Sequence, residues 1–197
     1  MKALAVLLAL ATTAHAGALV PPRLYAAMFE KGHRWTFDVT TKVQMSDGSR
    51  SKDTSVLTCE VAEVRMYAKA VASKITCDRE LDSNYAFVPS GLWVATAKGL
   101  ARLPDVDLPD AIGDSTPVIA AAPHKHAKRT KDDEGGYYVE KVFAKGKQWC
   151  AAFDALHVGA GDPGMHTLCF TPGVGLAWGE LDYRGGDPRD VVYTARD

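Results

Sequence analysis

Several groups of residues have the types and spacing that chemistry requires. His124-Lys125-His126 carries two imidazoles two positions apart, which an extended segment presents on one side, and Asp132, Asp133 and Glu134 follow within the same stretch as oxygen donors. A structural zinc site would add cysteines or a second histidine pair at a defined spacing, and His157 and His166 stand elsewhere, so no metal is expected; His124 and His126 are the weak alternative. Asp105, Asp107, Asp110 and Asp114 crowd one loop with Pro104 and Pro109, but without the glycine and terminal glutamate of a calcium-binding EF-hand loop. Gly173-Val174-Gly175 and Gly185-Gly186 could cradle a phosphate only by opening a helix; neither does, so both read as strand-edge turns. His33, just before Trp35, reads as a strand-edge residue, and no cofactor is expected.

Gly113-Asp114-Ser115 and Asp154-Ala155-Leu156-His157 resemble the serine block and the D-x-x-H block of the SGNH, or GDSL-type, esterases. The resemblance implies Ser115 as nucleophile, His157 as its base and Asp154 as the group that orients the ring. In that family the serine follows the first strand of an α/β fold and the two blocks lie most of a domain apart. Here about 40 residues separate them, Ser115 is followed by Thr116-Pro117, and no G-x-S-x-G elbow is present. The chain is therefore read as non-catalytic, with Ser115, Asp154 and His157 as an unlikely third reading, an SGNH-like hydrolase.

Strands must position whatever site exists. From Arg34 to Met45 the odd positions are Trp35, Phe37, Val39, Thr41, Val43 and Met45, whereas the even ones are mostly charged or polar, the period of a strand with one face in a core. Ser46-Asp47-Gly48-Ser49 supplies the turn that follows. The runs Ser55 to Arg65 and Ala70 to Asp78 form a hairpin turning near Tyr67 to Lys69. With Cys59 opposite Cys77, Val61 faces Ile75, and Leu57, Cys59, Val61, Val71, Ile75 and Cys77 share a face, while Glu60 and Lys74 are diagonal neighbours. Pairing Cys150 with Cys169 likewise aligns Trp149 with Phe170 and Ala151 with Leu168 on an apolar face, leaving the cysteines beside Gln148 and Thr167. Of the three connectivities four cysteines allow, these two local bridges are preferred. Further strands are expected at Tyr85 to Val88, Leu92 to Ala97, Val118 to Ala121, Tyr137 to Ala144, Val174 to Tyr183 and Val191 to Ala195, with one short helix over Pro22 to Lys31. Ala101 to Thr116 and Pro123 to Gly135 read as long loops. The fold class is mainly β: a single curved antiparallel sheet or partly closed barrel with one short N-terminal helix.

The N-terminus sets the compartment. Lys2, an apolar run from Ala3 to Ala11 and the exit Ala14-His15-Ala16 read as a cleavable signal peptide over residues 1–16, with the cut before Gly17, leaving residues 17–197 as one domain. No cysteine follows the cut to take a lipid anchor, and no later segment is apolar enough to cross a bilayer. The destination is periplasmic or secreted, where disulfides persist. The 23 basic and 24 acidic residues leave no concentrated positive field except near Lys125 to Lys131, so nucleic acid is not an expected partner.

Lys31-Gly32-His33-Arg34-Trp35-Thr36-Phe37 and Cys169-Phe170-Thr171-Pro172-Gly173-Val174-Gly175-Leu176, with Gly91-Leu92-Trp93 between them, resemble bacterial exported β-sheet proteins, often lipoproteins. In these, a G-x-x-W-x-Y/F start and an aromatic-x-P-G-V-G-L block bracket a strongly bent antiparallel sheet. The resemblance implies a half-barrel of loosely LolA-like shape, some relatives of which carry lipids. The expectation is a non-catalytic protein holding a lipid or other apolar small molecule on its concave face, in a cavity the core aromatics leave unfilled. The alternative is a structural or protein-interaction component of the cell envelope, with an envelope protein as partner and a packed core.

Overall fold

The alternation beginning at Arg34 forms strand β1 (Arg34–Gln44) in the computed structural model of the chain, which describes residues 23–79, 89–103, 107–112, 119–120, 128–131, 137–156, 164–183 and 189–196. Trp35, Phe37 and Val39 are buried, and Arg34, Asp38 and Lys42 are exposed. The strands that follow are β2 (Arg50–Met66), β3 (Ala70–Cys77), β4 (Gly91–Thr96), β5 (Gly99–Leu103), β6 (Ile119–Ala120), β7 (Lys128–Lys131), β8 (Tyr137–Lys145), β9 (Gln148–Leu156), β10 (Gly164–Thr171), β11 (Gly175–Tyr183) and β12 (Arg189–Ala195). All belong to one antiparallel sheet in the order β6-β5-β4-β3-β2-β1-β12-β11-β10-β9-β8-β7. Strands consecutive in sequence pair throughout except β6 and β7, which form the two edges, and β12 pairs with β1.

Three expectations need correction. The segment read as a helix over Pro22 to Lys31 is, among the described residues, only a 3-10 turn at Ala26–Phe29, with the Met28 N–H bonded to the Tyr25 carbonyl. Tertiary bonds hold it on both sides: Gly173 N–H reaches the Arg23 carbonyl, and Gly32 and His33 pair with Val61, so no room is left for a longer helix. Strand β5 lies at the start of the stretch read as a loop, and β7 lies within the second one. In both, the ladder of a neighbouring strand organises a sequence whose own alternation is weak. The expected strand at Tyr85 to Val88 lies outside the described residues.

Both hairpin registers stand as read. Cys59 is opposite Cys77 and Val61 opposite Ile75; Cys150 is opposite Cys169 and Trp149 opposite Phe170. Both cysteine pairs are bonded, and each closes a loop that adds about 3 kcal/mol by restricting the unfolded chain. The Glu60–Lys74 pairing does not form. A bulge between Val61 and Glu63 moves Lys74 opposite Glu63, the Lys74 ammonium bonds Asp107 Oδ1 at 2.9 Å, and Glu60 takes Arg34 at 2.7 Å. A second irregularity, opposite Cys169 and Phe170, leaves Ala177 as an extra residue in β11.

The inner face closes on itself. Trp93 of β4 and Phe170 of β10 stand six positions apart in the strand order, which a flat sheet would separate by about 29 Å. Their ring centroids are 6.5 Å apart, edge to face, so the sheet curls into a half-barrel and packs its two halves together. Between them Phe37, Leu57, Leu168 and Tyr193 are fully buried. Tyr193 lies edge to face with Phe37 and over its cross-strand partner Gly179, where an added Cβ would sit 2.0 Å from the Tyr193 ring. One end of the curl is pinned by Trp35, whose indole N–H donates to the Val174 carbonyl at 2.6 Å, and by Met28, packed where a side chain on Gly175 would stand. The G-x-x-W and P-G-V-G-L segments are thus bonded to each other.

Among the described residues, two buried hydroxyls, those of Tyr25 and Ser73, have no hydrogen-bond partner. Burial pushes the Tyr25 phenol up to about 12.

Replacing Gly179 by Ala should cost about 1–3 kcal/mol in urea unfolding, because the methyl has no space under the Tyr193 ring, and Gly179→Ala with Tyr193→Leu should recover part of the loss. Tyr25 stays neutral in the folded state while the unfolded phenol ionises from about pH 10, so stability should fall as pH rises from about 10 towards 12. Tyr25→Phe should flatten that decline and leave stability at neutral pH equal or higher, since it removes a buried hydroxyl without a partner; unfolding midpoints across pH 7–11.5 check both.

Candidate binding site

The concave face was expected to hold the ligand, and its described part is filled. Trp35, Phe37, Ile75, Pro89 and Leu176 surround a gap of about 150 Å³ that leaves no room for a water molecule. Arg102, a cation aligned with this face, pairs with Trp93 across β4–β5 and donates from Nε and Nη2 to the Ser90 carbonyl at 3.2 and 3.0 Å. Burial lowers its pKa, partly offset by nearby Tyr193. It crowds Gly91, whose φ of +121° and missing Cβ leave space for the guanidinium.

The outer face is where the described structure leaves space. Sheets with one wet face alternate, yet β3 turns Ala70 and Ala72, and β4 turns Val94, to the outside, and all three are buried. Residues 107–112 cover them as a strap, with Leu108 and Ile112 against this second small core together with Tyr67 and Leu103. Polar bonds fasten the strap to β2 and the turn beyond it. Arg65 Nη1 donates to the Leu108 and Pro109 carbonyls at 3.1 Å each, the Tyr67 hydroxyl donates to the Pro109 carbonyl, and Lys74 holds Asp107. The proline- and aspartate-rich loop, weighed above as a calcium site, has two of its carboxylates on cations instead: Asp107 on Lys74, and Asp110 beside Arg65 at 3.8 Å. Among the described residues no group of three acidic, histidine or cysteine side chains could hold a metal.

Where the strap ends, a groove of about 500 Å³ opens between it and two hairpin tips. Tyr67, Ala70 and Ile112 are half-buried or buried along it, with Ala68, Ala97 and Ala111 more exposed; Lys69 and Lys98, both exposed, come from the two tips. A wider cleft of about 860 Å³ lies at the pinned end, where β12 stops short of the start of β1; it is lined by His33, Arg34, Lys147, Gln148 and Arg196. There Arg34 holds Glu60 and Arg196 holds Asp38, so much of its charge is already matched. The His33 ring stands edge to face with Trp35 at 4.6 Å, the strand-edge role read from the sequence.

Of the triad residues, Asp154 lies on β9, opposite Val139 and Met165, and Ser115 and His157 lie outside the described residues, as do His124 and His126. On the outer face the Cys150–Cys169 bond lies in register between Phe143 and Trp178, with Lys145 Nζ 5.3 Å from the Trp178 ring; Trp178 was grouped with the mainly core aromatics and belongs to the outside. The groove residues were missed because alanines in turns carry no chemical signal. The one available hint was Ala70 and Ala72, small apolar residues on the face that Lys74 and Thr76 marked as wet.

No protein-family model matches the chain, and no curated protein matches it. Among solved structures, a Bacteroides fragilis protein classed as exported, with a YmcC-like fold, aligns over 85% of this chain and 97% of its own with 12% identity and a TM-score of 0.32. At that similarity it carries nothing over to this chain.

Arg65→Ala should free the strap without unfolding the sheet: proteolytic cleavage within residues 107–112 should accelerate by tenfold or more, about 1.4 kcal/mol of local stability, while the global urea midpoint moves little. Equal acceleration throughout β1 and β2 would show instead that the strap and sheet open together.

Proposed function

We propose that this is an exported, non-catalytic protein that acts by binding on the outside of a filled half-barrel, as an interaction component of the cell envelope. The observation that carries this reading is the inner face: the aromatic and leucine side chains that would line a carrier's cavity are fully buried against one another. A lipid on the concave face would have to displace the Trp93–Phe170 contact that holds the curl. Export rests on the leader-like residues 1–16 and on two disulfides, which persist outside reducing compartments. The outer face offers an apolar groove flanked by a fastened strap, a surface built for contact more than for chemistry.

Secreted protein should begin at Gly17 and show a mass four hydrogens below the all-thiol form. With a photo-reactive benzoylphenylalanine in place of Ala68 or Ala111, irradiation in the source cell's envelope should give discrete adducts; the same group at Ser51, on the far β1–β2 tip, should give none. Adducts equally strong at Ser51, or a protein retained inside the cell with free thiols, would overturn the reading.

A further inference from the structure

We infer that the outer face of β2, β3 and β4 beneath residues 107–112 is a peptide-recognition surface, and that the strap occupies it from within the chain. Its partner is an extended acidic and aliphatic segment of another protein with the strap's own chemistry: a carboxylate for Lys74, main-chain carbonyls for Arg65 and Tyr67, and two aliphatic side chains for the floor of Ala70, Ala72 and Val94. This rests on the reading that binding occurs on the outer face and adds to it the kind of partner.

The bed under the strap has a cationic side and an apolar side. Arg65 stands opposite Ala72, and Ala72 opposite Val94, so one row across the sheet runs from a guanidinium to an apolar floor. Along β3, Lys74 extends the cationic side and Ala70 extends the floor. The bulge in β2 creates this arrangement. Val61 faces inward with Ile75, and by strict alternation Arg65, four residues on, would face inward too; the extra residue between Val61 and Glu63 turns it outward to Ala72. Glu63 is opposite Lys74 on β2, on the side of the lysine away from β4.

The strap is held as a peptide ligand is held. Residues 107–112 belong to no strand, so no ladder fixes them. Arg65 and Tyr67 donate instead to two successive main-chain carbonyls, those of Leu108 and Pro109, and Pro109 brings no N–H for the bed to satisfy. Leu108 and Ile112 pack on the floor, and Asp107 meets Lys74 at 2.9 Å. Main-chain bonds with separate places for side chains and charge are the means by which extended segments are recognised, and they read chemistry without regard to which chain supplies it.

The grip is also shallow. Asp107 is 86% exposed and Arg65 44%, so their ion pairs stabilise little, and the strap's opening costs less than the sheet's. A partner competes with an occupant tethered at an effective concentration of about 1 mM. It gains on that occupant by continuing past Ile112 into the groove that opens where the strap ends.

The test uses the full disulfide-bonded protein and, as probe, the capped hexapeptide Asp-Leu-Pro-Asp-Ala-Ile, the sequence of residues 107–112. Leu108→Ser with Ile112→Ser loosens the strap from half-buried positions and leaves the bed intact; Leu108→Ser alone serves if the double variant unfolds. By fluorescence anisotropy the loosened protein should bind the peptide roughly tenfold or more tightly than the parent, whose own strap competes. Adding Lys74→Glu should weaken binding about tenfold, and a peptide carrying Asp107→Lys should recover it. No binding to the loosened protein, equal binding of a scrambled peptide, or no recovery on charge exchange overturns the assignment. In the envelope, adducts from benzoylphenylalanine at Ala68 should rise several-fold on loosening and fall when the peptide is added. Ala68 adducts that respond to neither would leave the outer-face reading standing while removing the strap from it.

Discussion

A single sheet with one apolar face has nothing but itself to bury that face against, and the rest of this structure follows from how it does so. Helices that cover a sheet in layered folds are absent among the described residues, where the only helical element is the four-residue turn at Ala26–Phe29. The sheet must curl until its two halves meet. The Trp93–Phe170 contact is that meeting, and Phe37, Tyr193 and the leucines fill the space between. Local features make the curl possible: two register irregularities bend individual strands, and Gly179 lets the Tyr193 ring lie across its neighbour.

Curling leaves an open end that water would enter, and short irregular segments close it. Trp35 at the start of β1 and Val174 in the turn before β11 are bonded across that end, with Met28 seated on Gly175. A glycine is required at position 175 for two reasons, its φ of +79° and the Met28 side chain where a Cβ would stand. The two segments by which the chain resembles exported β-sheet proteins therefore meet in space as structural parts, and their presence says how the sheet is held more than what it binds.

Filling the interior moves the capacity for binding outward. On the outer face the small residues of β3 and β4 accept the strap, and the strap with the hairpin tips leaves a groove. The same physical demand that empties the concave face of space thus creates a second apolar layer on the other side, because a strongly bent sheet exposes more surface on its convex face than its own side chains cover.

Period two made β1 legible from the sequence by itself, and the cysteine spacings, read with the apolar faces they align, favoured the two local bridges and their hairpin registers among three connectivities, because a one-residue slip would turn those faces over; β5 and β7, with weak alternation, read as loop. The same signals could not say that Lys74 would reach Asp107 rather than lie diagonal to Glu60, since one extra residue in β2 shifts every partner beyond it. Nor could they show whether the concave face was a cavity or a core. Trp35, Phe37, Trp93 and Phe170 read alike in either case, and their roles were decided by the degree of curl, a property of all the strands together. The groove belongs wholly to the tertiary structure: Tyr67, Ala97 and Ile112 lie far apart along the chain, and only the packing of the strap against two hairpin tips brings them together.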